Sequence, residues 1–110
     1  MAIKFFTANP QALLDSFHEK IQKSGKEGIT TWEVVGEDFA HKAPQLVDKG
    51  LLRPVVEATK KPFNLTFLVK EPEKDAGVSN YVYAELQGNI LSTFAQHFSK
   101  QFTSAEYTGR

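Results

Sequence analysis

The chain has no cysteine. Disulfides, thiolate metal centres and a cysteine nucleophile are excluded with it. It also has no excess of charge, because thirteen basic residues balance thirteen acidic ones. A nucleic-acid-binding domain shows a basic patch or surplus, so nucleic acid is not an expected partner. No apolar run approaches the ~20 residues of a membrane span. Met1 to Ala8 is too short an apolar stretch for a secretory signal before Asn9-Pro10 interrupts it. The expected protein is cytoplasmic, with no membrane partner. The phosphate-cradling, zinc-hydrolase and serine-hydrolase motifs are all missing. Asn64-Leu65-Thr66 matches a glycosylation sequon, but without a secretory signal we read it as a chance match. The histidines, His18, His41 and His97, never fall at the i,i+4 spacing that lets a helix offer two ligands. We therefore expect no metal, no cofactor and no catalytic residue that a motif could name.

What remains is an ordinary globular composition. The 110 residues are 41% hydrophobic and 24% charged, enough for one domain spanning 1–110. Ile3 to Thr7 is short and β-prone. Asn9-Pro10 then supplies an N-cap and a residue suited to the first helical position. Leu13, Leu14, Phe17 and Ile21 follow at helical spacing. The spacing predicts a helix over Pro10–Ser24, ended by Gly25 and Gly28.

From Ile29 the period changes to two. Trp32 and Val34 alternate with polar neighbours, Gly36-Glu37-Asp38 is a turn, and Phe39 to Lys42 returns as the second arm of a hairpin. Pro44 to Gly50 reads as a helical turn or loop. Leu51 to Ala58 is strand-like, although Pro54 cannot donate to a ladder, so that strand is an edge or irregular. Phe63 to Lys70 alternates as a half-buried strand. Glu71 to Ser79, charged and with Pro72 and Gly77, reads as a loop. Tyr81 to Leu86 reads as another strand, with Tyr81 and Tyr83 on its outer side. A second helix is expected from Gly88-Asn89, presenting Ile90, Leu91, Phe94, Phe98 and Phe102. Thr103 to Thr108 is a last strand.

Leu13-Leu14-Asp15-Ser16-Phe17 is similar to Ile90-Leu91-Ser92-Thr93-Phe94. Two helices covering one sheet need similar stripes, so packing alone can produce this match. The element order predicts an α+β chain: a ferredoxin-like two-layer sandwich, its mainly antiparallel sheet carrying two helices on one face and extra hairpin strands. A cystatin-like arrangement is the alternative, and the C-terminal helix counts against it.

Four residues stand out as ligand-binding candidates: Trp32, His41, Arg53 and Tyr83. His41 is the only histidine outside the two expected helices, and a carboxylate beside it would tune a general base. His18 and His97 read as histidines covering the edge of the core. Arg53 is the only internal arginine and sits in an apolar segment. It suits either a bidentate ion pair, with Glu37 or Asp38, or an anion anchor in a pocket. The short connection Pro44 to Gly50 would bring His41 and Arg53 to one concave surface. The leading functional expectation is a homodimeric binding or interaction module without catalytic activity, pairing through its sheet. The competing one is a small-molecule enzyme or ligand-binding protein, with a pocket for an anionic metabolite in a dimeric α+β barrel.

Overall fold

A computed structural model describes residues 2–23, 28–46, 49–70 and 80–108. The elements run β1 (Ala2–Phe6), α1 (Pro10–Gln22), β2 (Trp32–Val35), β3 (Asp38–His41), β4 (Leu51–Glu57), β5 (Asn64–Lys70), α2 (Asn80–His97) and β6 (Ser104–Thr108). The strands form one six-stranded sheet in the order β2-β3-β4-β5-β1-β6. Every neighbouring pair is antiparallel. Among the described residues the chain is thus α+β with two helices, and its sheet exceeds the four strands of a ferredoxin-like sandwich.

α1 starts as its sequence dictates. The Asn9 side chain accepts from the Ala12 amide at 3.2 Å, and Pro10 occupies the first turn. Leu13 and Phe17 are fully buried along its inner stripe. The helix ends at Gln22, and the expected stop at Gly25 lies outside the described residues. Gly28 has a firm steric role. A Cβ there would lie 2.2 Å from the Lys23 carbonyl oxygen, because the chain folds back on the helix end. Gly36, at φ +62°, opens the two-residue loop of the β2–β3 hairpin, a backbone region that glycine enters without cost.

β4 resolves the problem posed by Pro54. The register pairs Pro54 with Phe67 of β5 on one side. On the other, Phe39 faces Leu52, and β3 begins only at Asp38, opposite Arg53. Among the described residues no strand pairs with β4 on that side from Pro54 onward, so the missing N–H breaks no ladder there.

The strand expected over Tyr81–Leu86 is instead the first half of α2. Val82, Tyr83, Leu86, Gln87, Ile90 and Phe94 are buried at spacings of one, three and four, which is a helical stripe. Six residues of alternation fitted a strand equally well. Gly88, read as a helix start, sits mid-helix with nothing within 4 Å of a would-be Cβ. Leu91 lies off the stripe at 40% exposure. Phe102 follows the helix and packs on Phe5, with ring centroids 5.1 Å apart. The loop expected over Glu71–Ser79 lies outside the described residues.

Both helices cover one sheet face. Phe17 of α1 stacks on Phe39 at 4.5 Å and meets Phe94 of α2 at 5.1 Å, while Phe94 packs on Phe5 at 4.5 Å. With Leu52, Leu65 and Phe67 these rings form one core. Strand pairing runs cross-strand rows over the other face, which is helix-free among the described residues. One reads Val35–Asp38–Arg53–Leu68–Ala2, and another reads Val55–Thr66–Lys4–Glu106.

Candidate functional site

The four sequence-selected residues divide between the two faces. Trp32 and His41 face each other across β2 and β3, under the helices. Trp32 is fully buried, and its indole N–H donates to the Thr93 hydroxyl at 3.0 Å. The His41 ring meets the indole edge-on with centroids 4.8 Å apart. The Ala43 amide donates to His41 Nδ1 at 3.1 Å, so that nitrogen is unprotonated and the other carries the hydrogen of the neutral ring. Burial pushes the His41 pKa below its ordinary 6.5, against a smaller opposing pull from the Glu85 carboxylate on α2. A carboxylate does act on His41, but it comes from α2 and not from neighbouring Asp38. Tyr83 is buried on the inner stripe of α2 and is not the wall of a sheet cavity.

Arg53 stands on the opposite, helix-free face. Its Nε donates to Asp38 Oδ1, and its Nη2 reaches Asp38 Oδ2 at 3.2 Å. Glu37 lies 3.8 Å from the guanidinium, and Lys70 lies 3.7 Å from the same Asp38 carboxylate. The Asp38 carboxylate is buried beneath these cations and ties β3 to β4 and β5. Arg53 is therefore committed to the ion pair that its position allowed, and it shares no concave surface with His41. The short 44–50 connection does join neighbouring strands, but alternate residues of a strand point to opposite faces. His41 falls in phase with Phe39, and Arg53 with Asp38.

His18 and His97 do cover the core edge. Their rings pack against Phe39 at 4.9 Å and Phe98 at 6.1 Å. Burial, and then Lys20, depress the His97 pKa. Among the described residues no three His, Cys, Asp or Glu side chains gather where they would hold a metal ion. Among the same residues no helix is long and apolar enough to cross a membrane.

Concave surface lies elsewhere, at the end of the sheet where β1 leaves and β5 and β6 begin. A broad cleft of about 610 Å³ is walled by Phe6, Pro62, Phe63, Lys61 and Thr103. A smaller hollow of about 260 Å³, reached by Lys100 and Gln101, lies on the other side of the Thr7-Ala8 segment. Both hollows touch Thr7, Ala8 and Thr103. Backbone bonds frame them: the Thr7 amide donates to the Phe63 carbonyl at 3.2 Å and the Thr103 amide to the Phe6 carbonyl at 2.9 Å. The Thr7 hydroxyl donates to the Gln101 carbonyl at 2.6 Å and accepts from the Asn9 amide at 3.3 Å. None of Trp32, His41, Arg53 and Tyr83 lines either hollow. Sequence reading missed this region because its walls come from three distant segments with no motif among them. The local signal there, Asn9-Pro10, reads only as the start of a helix. Comparison with protein-family models, with curated proteins and with solved structures finds no match.

Proposed function

We propose that the chain is a non-catalytic binding module that pairs with a second copy through its helix-free sheet face. One observation carries this reading. Three aliphatic side chains, Val35, Val55 and Leu68, stand 43–45% exposed on that face. A sheet face without helices needs polar cover or a partner. The surrounding charges are of both signs and interspersed: Glu33, Lys70, Arg53, Lys4, Glu106 and Glu57. A two-fold contact sets one patch against itself, so each charge can find its opposite across the axis. Zero net charge leaves little long-range repulsion against self-association. The domain is a slab 36 × 34 × 22 Å, and its broad face can supply the ~800 Å² per partner of a standard interface.

The fold reading belongs to the same proposal. β4-β5-β1-β6 with α1 and α2 follows the connectivity of a ferredoxin-like sandwich, and the β2–β3 hairpin widens it beside β4. Sedimentation velocity tests the pairing. We expect a dimer at high micromolar concentration, and a folded monomer when Leu68 is changed to Asp. A monomeric wild type at that concentration removes the reading.

A further inference from the structure

We propose that the cleft at the end of the sheet binds a small amphipathic monoanion, an aromatic carboxylate being the chemical class that fits. This inference goes beyond self-association and does not depend on it, since one chain forms every wall of the cleft. The cleft's volume, about 610 Å³, lies within the ~300–1,000 Å³ usual for small-molecule sites. Its body is apolar, supplied by Phe6, Pro62 and Phe63, and two aromatic rings on the wall suit a flat partner.

Charge selects the sign of the ligand. Among the described residues the cleft is lined by Lys61, and the hollow across the Thr7-Ala8 segment by Lys100, with no aspartate or glutamate in either wall. Neither lysine makes an ion pair among the described residues. The Lys61 ammonium lies 6.0 Å from the Phe63 ring centroid, at the outer limit of a cation–π contact, so its hydrogens remain available at the wall. Arg53, the stronger anion binder by chemistry, is already consumed by Asp38 and Glu37.

The hydroxyl rim limits what the anion can be. The Thr7 hydroxyl already donates to Gln101 and the Thr103 hydroxyl to Phe6. The first turn of α1 is likewise capped by Asn9. Among the described residues Lys61 is the one cationic side chain in the wall of the cleft itself, which suits a single carboxylate better than a phosphate ester or polyanion. One carboxylate against Lys61, with an apolar body on the phenylalanines, uses what the cleft offers.

The test is an amide-shift titration of the ¹⁵N-labelled chain with 2-naphthoate, and with 2-naphthamide as the neutral analogue of the same shape. We expect shifts centred on Thr7, Ala8, Phe63 and Thr103, and tighter binding of the acid than of the amide. In Lys61→Gln the preference for the acid should fall by about threefold, the size of one exposed charge contact, with the remaining spectrum unchanged. Raising the salt concentration should erode the same preference. Shifts scattered elsewhere, no shifts up to the solubility of the acid, or equal affinity for acid and amide would each overturn the proposal.

Discussion

The two faces of this sheet are built on opposite principles. The helix-covered face is dry and aromatic, with Phe5, Phe17, Phe39, Phe67 and Phe94 in mutual ring contact and fully buried. The helix-free face is held by charge, through one buried carboxylate, Asp38, gripped by Arg53 and approached by Lys70. Area removed from water sets the energy of the first. Geometry and screening set that of the second. The same strands serve both faces because their period is two, so each face was free to acquire its own chemistry.

Substitutions can break or sharpen this contrast. The largest effect should come from Phe94→Ala, which removes a ring from the centre of the covered face. We expect a loss of about 3–5 kcal/mol in chemical denaturation. Val55→Ala on the other face should change monomer stability by only about 0.5 kcal/mol. Equal losses would mean that the two faces are not energetically distinct.

The next effect has the opposite sign. Gln87 is 1% exposed on α2, and neither atom of its side-chain amide finds a partner among the described residues. A buried polar group without a partner costs stability. Gln87→Leu should therefore raise the unfolding free energy measured by chemical denaturation by about 1 kcal/mol. A destabilised variant would show that the amide is satisfied.

A smaller effect is expected at Asp38. Asp38→Asn should lower stability by less than Phe94→Ala does, and the difference from wild type should shrink in high salt. A salt-independent loss would point to packing and not to charge.

The smallest effect is a pH dependence. His41 titrates below its unfolded value of 6.5 in the folded chain. Between those two values the unfolded chain binds a proton that the folded chain does not, so stability falls as the pH is lowered through about 6.5. Denaturation midpoints from pH 8 to 5 should show this slope, and His41→Gln should reduce it. An unchanged slope would assign the dependence to His97.

Much of this was legible in the residues. Asn9-Pro10 marked the start of α1, Gly36 the hairpin, and the alternation after Phe63 marked β5. The ion pair of Arg53 with Asp38 or Glu37 was open as one of two readings. Two things were not legible, for different reasons. The first turns of α2 carry aromatic and β-branched residues whose alternation also suits a strand, and tertiary packing against Gly50 and the core decides for the helix. The cleft depends on where β1, β5 and β6 begin and end in space, and no local pattern encodes that.

Trp32 gives the covered face an optical consequence. It is the only tryptophan in the chain, wholly buried, hydrogen-bonded to Thr93 and set edge-on to His41. Its emission should therefore be blue-shifted in the folded protein and red-shifted on unfolding. Protonated imidazole is an efficient quencher at this range, whereas the neutral ring is a poor one. The intensity of a single indole thus reports the charge of a single histidine, with no label added, and His41→Gln should leave that fluorescence flat across the same pH range.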